Sequence, residues 1–574
     1  MELPKSRVCW PGLLMLSLLG TAFGQTPKPK SAVEFWSLRP LLRAAPPGAN
    51  RNPIDAFVAR TYQEKGLKPT GPAAKATLLR RVYLDLIGLP PTPAELDAFL
   101  SDQEPEAYTK VVDRLLRDPQ HGVRYARHWL DVLSYADVDE NMIGEAGIHH
   151  WRDWVIKALN RDRPYDQFVR AMIAGDLSSQ PDDFFATGFL ARAAHSAGDG
   201  GGEQIAMAAT EIVSSAFMAM TTACAKCHDH MYDPISQRDY YAMKALFDPL
   251  VPEKHVLASA GEIMAMPEVL AKWQADQQAI QARMDVITQP YYQRLFEDRL
   301  LHVPPNVVAV YRKAEADRTA EEKKIAKQYE PVVSLDARKY RDVMTPEEVT
   351  RYEGIRKGLT ELKRDPPALP AFWSVRVGPE RAAFKSHLYL AGDSSKKGEE
   401  VQPGFPFAPK GLEFRGDRRE VFLQWLTAPE NPLFTRVAVN RLWQWHFGEG
   451  LAATPSDFGS TGQPPTDSAL LDWLASEFVA KKYSMKAMHR LIVTSDLYQR
   501  DSAGSPAQNA ANLAIDPANR HLWRYPLRRL EAESIRDSVL SAAGALDASI
   551  GGRSFRAADI LERRVMSAAR TGAL

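Results

Sequence analysis

Apolar residues recur along most of the chain at intervals of three and four residues, the spacing that places them on one face of an α-helix. The spacing is clear over residues 54–62 and 78–86, whereas alternation of apolar and polar residues is rare. Helix-starting signals accompany these runs, such as Asn52-Pro53 and the capping box Thr92-Pro93-Ala94-Glu95. The pattern predicts a mainly α, multi-domain helical protein.

Changes in composition along the 574 residues divide the chain into predicted segments. Two helical blocks, residues 52–250 and 417–545, are rich in apolar faces. Between them, residues 251–416 are charged and have weaker apolar faces, which predicts a helical connecting region. Its residues 386–390, followed by Gly392-Asp393, predict a short β segment and a turn. Residues 546–574 lose the helical pattern and are interpreted as a divergent or truncated tail.

The first 24 residues have the features of a secretory signal peptide. Lys5 and Arg7 precede a short apolar run, and Ala22-Phe23-Gly24 offers small residues for cleavage before Gln25. The run is shorter than the roughly 20 residues that a membrane-spanning helix needs. We therefore expect export to the periplasm or cell envelope, a linker over residues 25–51, and no transmembrane segment in the mature chain.

The overall composition excludes some partners and leaves the reaction class open. The net charge is +1, so no basic field indicates a nucleic-acid partner, and none is expected. Motifs of nucleotide-binding enzymes and of serine hydrolases are missing from the sequence. Whether the protein is an enzyme is not predicted.

The strongest chemical signal is Cys224-Ala225-Lys226-Cys227-His228, a C-x-x-C-H sequence. This spacing is typical of covalent haem c attachment, with the two thiols on the porphyrin and the histidine as proximal iron ligand. Cys9, the third cysteine, lies in the predicted signal peptide, so the mature chain keeps only the motif pair. We predict one haem c held by Cys224, Cys227 and His228. Export agrees with this, because bacterial c-type haem is attached outside the cytoplasmic membrane.

Other uses of the same residues remain open. A redox dithiol or a structural disulfide needs only the two cysteines. A zinc site could use Cys224, Cys227, His228 and His230, although two histidines so close in sequence make a tetrahedron awkward.

A polar stripe is predicted on a helix over residues 121–136. Arg124, His128, Asp131 and Tyr135 follow one another at steps of four, three and four residues, so they share one face. Such a stripe can line a site, or it can be a solvated or internally paired face. His230 and Met231 are too close to His228 to reach the other side of a porphyrin. His128 is therefore the candidate distal iron ligand, and Asp131 could orient its ring.

Several long sequence words resemble a known family. The words 84–93 (Leu-Asp-Leu-Ile-Gly-Leu-Pro-Pro-Thr-Pro), 127–131 (Arg-His-Trp-Leu-Asp) and 224–241 look like the planctomycete cytochrome-type (PSCyt) domain. The words 431–433, 440–443, 455–459 (Pro-Ser-Asp-Phe-Gly) and 491–495 resemble its usual companion, the PSD-type domain. The resemblance implies an exported, helical, cytochrome c-like protein, and both domains are of unknown function. Unlike many members, this chain has a single C-x-x-C-H.

Two functions from different classes follow from the sequence. The first is an exported c-type haem protein that transfers electrons or takes part in oxidative chemistry in the cell envelope. Its redox partner is unknown, and a polymer or another envelope component is the candidate substrate. The second is a non-haem envelope protein whose C-x-x-C-H binds a metal or forms a disulfide, with a binding or scaffold role.

Overall fold

The structure is a computed structural model that describes residues 35–48, 50–136, 147–194, 199–335, 343–362, 367–381, 383–409 and 411–553. Within these residues the protein is mainly α-helical, which confirms the predicted fold class. The α-helices in chain order are α1 Pro53–Lys65, α2 Lys75–Leu86, α3 Pro93–Ser101, α4 Ala107–Leu115, α5 Pro119–Val132, α6 His149–Asn160, α7 Tyr165–Ala174, α8 Gly188–Ala191, α9 Asp199–Met218, α10 Gln237–Phe247, α11 Ala260–Leu300, α12 Pro305–Tyr311, α13 Ala320–Val333, α14 Pro346–Glu361, α15 Arg418–Leu426, α16 Pro432–Phe447, α17 Ser468–Ala480, α18 Met485–Val493, α19 Asp496–Gln499, α20 Pro506–Ile515 and α21 Ala532–Ala542.

The described β-structure consists of two small sheets of two strands each. The strands are β1 Leu250–Val256, β2 Ala371–Val377, β3 Ser386–Tyr389 and β4 Lys397–Val401. β1 pairs with β2, and β3 pairs antiparallel with β4, with Ser386 opposite Val401. A 3-10 turn, Leu390–Gly392, follows β3. The strand and turn predicted near residue 386 are therefore confirmed.

Part of the sequence-based prediction falls on residues that the structure does not describe. The predicted signal peptide, the first part of the linker and the end of the tail lie outside the described residues. Among the described helices, none combines the length and the apolar character that crossing a membrane requires.

The chain forms two compact units, Met1–His255 with Phe372–Leu574, and Val256–Ala371. The smaller unit contains α11 to α14. Its helices meet around a small buried cluster, Met284, Ile287, Met344, Tyr352 and Ile355. Many of its charged residues stay in solvent, as the weak apolar faces of this region predict.

The larger unit contains both helical blocks, which are separated in the sequence by the predicted connecting region. Several polar contacts between the blocks are buried. Asp55, at the start of α1, accepts hydrogen bonds from the backbone N–H groups of Asp496 and Leu497, both at 2.9 Å. Arg419, at the start of α15, donates to both carboxylate oxygens of Asp176, at 2.7 and 2.9 Å. Periodicity shows which face of a helix is buried but not which helix covers it, so this arrangement was not predicted.

A buried polar cluster joins α2, α16, α18 and α19 at the centre of this unit. Asp85 lies 2.7 Å from His446 Nδ1, and His446 Nε2 lies 2.8 Å from His489 Nδ1. The Asp85 carboxylate also accepts hydrogen bonds from Tyr498 Oη at 2.9 Å and Arg528 Nη2 at 3.1 Å. Burial by itself would raise the pKa of Asp85, but the charges and hydrogen bonds of His446 and Arg528 hold that pKa well below its usual value. The cluster therefore contains a carboxylate that stays ionised inside the protein.

The neighbouring histidines make the larger unit sensitive to acid. Burial lowers the pKa of His121 to about 3 and that of His489 well below 6.5. Both residues are neutral in the folded protein, whereas in the unfolded chain they take up protons below about pH 6.5. The unfolded state then binds more protons, so stability falls as the pH drops from 6.5 toward the folded pKa values.

We expect the free energy of unfolding to be about 2 kcal/mol smaller at pH 5 than at pH 7.5 for each such histidine, because a histidine that is buried and neutral contributes about 1.4 kcal/mol per pH unit below 6.5. Urea denaturation at the two pH values, followed by tryptophan fluorescence, measures the difference. The variant His302→Gln, which removes an exposed histidine, should show the same pH dependence. Equal stability at both pH values would contradict the assignment of neutral buried histidines.

Candidate functional site

The C-x-x-C-H sequence lies on a short 3-10 turn, Ala223–Lys226, that follows α9. The Cys227 N–H approaches the Cys224 carbonyl at 3.5 Å, and the Ala225 side chain between them is buried. Side chains three residues apart are aligned on a 3-10 turn. Cys224 and Cys227 are both exposed free thiols. Cys224 thus lies on this turn and Cys227 caps its end, and both thiols are open to solvent.

His228 is exposed beside the two thiols, and its ring is oriented by the backbone of the next residue. Nδ1 lies 2.7 Å from the carbonyl oxygen of Asp229. A carbonyl oxygen only accepts, so Nδ1 carries the proton and Nε2 keeps its lone pair. A hydrogen bond of this kind on one ring nitrogen is what orients a metal-ligating histidine. In His228, Nε2 is thus the ring nitrogen that this hydrogen bond leaves free of a proton.

His230 has a different environment from the other residues of the proposed zinc set. Its side chain is buried, with Nδ1 accepting from the Asp233 N–H at 3.0 Å and Nε2 lying 3.5 Å from Thr221 Oγ1. Throughout the described residues, no group of three or more His, Cys, Asp or Glu side chains is placed to hold a metal ion. The structure does not bring Cys224, Cys227, His228 and His230 into a tetrahedral site.

The floor of the site comes from α10 and β3. Gln237 Nε2 donates to the carbonyl oxygens of Lys226 and Tyr389, both at 3.0 Å, and the Gln237 N–H donates to Asp229 Oδ1 at 2.8 Å. The Tyr241 hydroxyl donates to the Lys226 carbonyl at 3.1 Å. Burial, together with the nearby Cys227, raises the pKa of Tyr241 to about 12, so it remains a donor at neutral pH. These bonds tie the turn to the rest of the unit.

A glycine allows the segment after β3 to lie against Cys227. Gly392 has a φ of +77°, a conformation that favours glycine. A Cβ atom at this position would lie 2.6 Å from Cys227 Sγ, which is closer than atoms can pack. Gly392 therefore fixes how near the 3-10 turn after β3 comes to one of the two thiols.

The other side of the site is supplied by a loop of the second helical block, residues 454–463, here called the 454–463 loop. Asp233, which is buried, accepts a hydrogen bond from the Ser460 N–H at 2.7 Å, and Ser460 Oγ donates to the Tyr232 carbonyl at 3.0 Å. A Cβ atom at Gly459 would lie 2.4 Å from Asp233 Oδ2, so only glycine permits this approach. The loop thus contacts the chain five residues after the motif histidine.

The same loop also holds the chain before the motif. The Phe458 N–H donates to the Ala219 carbonyl at 2.7 Å, and the Phe458 ring is buried with Ala219, Val437 and Ala452. Arg441 donates to the carbonyl of Ser215 at 3.2 Å and to Ser456 Oγ at 3.1 Å. Both ends of the C-x-x-C-H segment are therefore positioned by residues more than 200 positions later in the sequence.

His128 lies on α5 and packs elsewhere. Its ring stacks on Trp445 with centroids 5.0 Å apart, and Tyr125 is 5.8 Å away. Burial, followed by the charge of Arg124, lowers the pKa of His128 well below 6.5. In the part of the chain that the structure describes, none of the residues named as contacts of His128 also contacts the C-x-x-C-H segment. Distal iron ligation by His128 stays a prediction.

The polar stripe on α5 is brought together only in part. Arg124 and Asp131 line one cavity, and Tyr135, which lies beyond the end of the helix, joins them there. Sequence reasoning selected Cys224, Cys227 and His228 but missed Asp233, Gln237, Gly392 and Gly459. Gly459 had a usable signal, because it ends the word Pro-Ser-Asp-Phe-Gly that had been noticed only as a resemblance.

The fold and the site define a class: a mainly helical protein in which two sequence-distant segments together build a surface C-x-x-C-H site. Two family models match these segments in the expected order. PSCyt2, a protein of unknown function (DUF1549), matches residues 53–251, and PSD1, a protein of unknown function (DUF1553), matches residues 418–571. The chain thus contains a PSCyt2 domain followed by a PSD1 domain. No curated protein and no solved structure matches it.

Proposed function

We propose that the protein is an exported c-type haem protein that carries one haem on Cys224, Cys227 and His228. The observation that supports this most is the joint geometry of the motif. One exposed thiol lies on a 3-10 turn and the other caps its end, and the adjacent imidazole has Nδ1 hydrogen-bonded to the Asp229 carbonyl, which leaves Nε2 as the nitrogen for a ligand. The donor set and its accessibility fit a haem c.

Each residue of the site has a separate role in this proposal. Cys224 and Cys227 would hold the porphyrin through two thioethers, each made by adding an S–H group across a vinyl group, an addition that needs no oxidant. His228 Nε2 would be the iron ligand, with its ring held by the bond from Nδ1 to the Asp229 carbonyl. A bound haem c supplies one-electron redox chemistry at its iron. Gln237 and Tyr241 restrain the turn, so the thiols keep their orientation.

Covalent haem is tested by producing the protein in a host with c-type maturation. We expect the intact mass of the mature chain to exceed the polypeptide mass by one haem, with a c-type pyridine haemochrome spectrum. The double variant Cys224→Ala/Cys227→Ala should lose the added mass, because it has no thiol to form a thioether. The variant His228→Ala should lose the wild-type axial ligation and change the spectrum.

A wild-type protein without added mass and without a Soret band would contradict the haem proposal. The alternative, a non-haem protein whose motif forms a disulfide, gives a different result in the same experiment. Its mass would be two hydrogens below that of the reduced chain, and it would bind no haem.

The distal position is tested on the haem-loaded protein. If His128 ligates the iron, His128→Ala should convert a low-spin ferric spectrum to high spin while the far-UV circular dichroism stays unchanged. An unchanged low-spin spectrum would exclude His128. The packing of His128 on Trp445 is the structural alternative, and it predicts a loss of stability without a change of spin state.

A further inference from the structure

A cavity of about 430 Å³ lies where the two matched segments meet, in a part of the larger unit that the haem proposal does not use. One wall is the face of α5 that carries Arg124, Arg127 and Asp131, and the opposite wall is α21 with Glu533 and Asp537. Its volume is within the range of small-molecule sites, and such sites are common at domain junctions.

The walls of the cavity combine apolar and charged surface. Leu89, Val123, Leu130 and Ile550 supply the apolar part. Three arginines and four carboxylates line the same cavity: Arg124, Arg127, Arg152, Asp131, Glu533, Asp537 and Asp547. A ligand that fills this space must have an apolar face and must also meet many polar groups.

Most of the charges on the walls are already paired with a charge of opposite sign. The Arg124 guanidinium donates to both carboxylate oxygens of Glu531, and Arg127 pairs with Glu533 and lies 3.8 Å from Asp131. Arg152 donates to Asp153 at 2.8 Å. An anionic ligand would have to displace these carboxylates, and a cationic ligand would meet three guanidinium groups. The charge pattern therefore favours a neutral ligand.

Paired charges still offer hydrogen bonds. Guanidinium groups only donate and carboxylates only accept, and both kinds of group line this cavity. A hydroxyl group does both, so neighbouring hydroxyls on one ring could bond to an arginine and a carboxylate at the same time. A saccharide ring has such hydroxyls at its edge and apolar C–H groups on its faces.

One side of the cavity is covered by residues 546–550, and this segment is tied to the walls. Gln120 Nε2 donates to the Ala548 carbonyl at 3.0 Å, and the Gly552 N–H donates to Asp153 Oδ2 at 2.8 Å. These bonds hold residues 546–550 against the apolar and charged walls.

We propose that the cavity binds a neutral polyhydroxylated compound, a saccharide ring, between α5, α21 and residues 546–550.

The proposal is tested by saturation-transfer NMR and calorimetry on the full-length protein, with the methyl glycosides of glucose, galactose, mannose, xylose and fucose as probes. We expect at least one glycoside to bind. Val123→Trp should abolish this binding by filling the cavity. Asp131→Asn should weaken it about tenfold or more, the factor expected when a hydrogen bond to a charged group is lost.

Asp97→Asn, which changes an exposed aspartate on α3, is the matched control and should leave the affinity unchanged. Circular dichroism establishes that each variant is folded. Failure of all five glycosides to bind would overturn the proposal, and so would binding that persists in Val123→Trp. Binding of spermidine or sulfate in place of the glycosides would overturn it as well, since it would show that the cavity selects a charged ligand.

Discussion

Replacing Asp85 by alanine is expected to lower the free energy of unfolding of the larger unit by about 3–5 kcal/mol, the cost of removing one partner from a buried charge pair. The Asp85 side chain is buried and accepts from His446, Tyr498 and Arg528. After the substitution, two of these partners stay in the interior without an acceptor, and a buried unsatisfied polar group costs stability.

Asp113 provides a matched control for this prediction. It also joins the two matched segments, through a 2.6 Å ion pair with Arg490, but both side chains are exposed to solvent. Asp113→Ala should therefore cost at most about 1 kcal/mol. Urea denaturation followed by tryptophan fluorescence compares the two variants. Equal losses for Asp85→Ala and Asp113→Ala would show that the central cluster does not hold the two segments together.

The secondary structure was largely predictable because helices show their buried face as a period in the sequence. The first helix begins after Asn52 and ends at Gly66, and the start of α3 has the capping box proposed at Thr92, with both of its reciprocal hydrogen bonds. Signals of this kind involve only residues that are close in sequence. The helix ends that they specify therefore form in the same way whatever the tertiary packing is.

The tertiary pairing was not predictable on the same basis. Asp85 stands within an apolar run, and nothing in its neighbourhood indicates that its partner is His446, 361 positions later. Similarly, the motif residues Cys224, Cys227 and His228 were selected by their spacing, whereas Asp233 and the 454–463 loop were not. A contact between distant segments leaves no periodic pattern in a single sequence. The packing of the two helical blocks against each other could therefore not be predicted.

This pairing changes how the C-x-x-C-H site is understood. A short motif normally defines its own site, but here the second domain holds the chain on both sides of the motif, at Ala219 and at Asp233. The first domain alone would present the motif without these restraints. The co-occurrence of the two domains in one chain thus has a physical reason in this structure.

The contact between Gly459 and Asp233 is the most direct test of this dependence. A Cβ atom at Gly459 would lie 2.4 Å from Asp233 Oδ2 and 2.7 Å from Oδ1. Gly459→Ala therefore forces the two segments apart and breaks the bond from Ser460 to Asp233. We expect a loss of about 1–3 kcal/mol in the free energy of unfolding, the usual cost of overpacking. Gly71→Ala, where nothing lies within 4 Å of the added Cβ, is the matched control.

The double variant Asp233→Ala/Gly459→Ala separates the specific contact from a general loss of stability. Removing the carboxylate removes the group that the new methyl strikes, so Gly459→Ala should cost at least about 1 kcal/mol less in the Asp233→Ala background, a coupling typical of residues in contact. This measurement needs no haem.

In the maturation-competent host, Gly459→Ala should also lower the fraction of chains that carry haem, because Ser460 no longer holds Tyr232 and Asp233 in the segment that follows His228. Additive losses in the double-mutant cycle would contradict the contact itself. Normal haem loading with a clear coupling would show instead that the 454–463 loop stabilises the fold without positioning the motif.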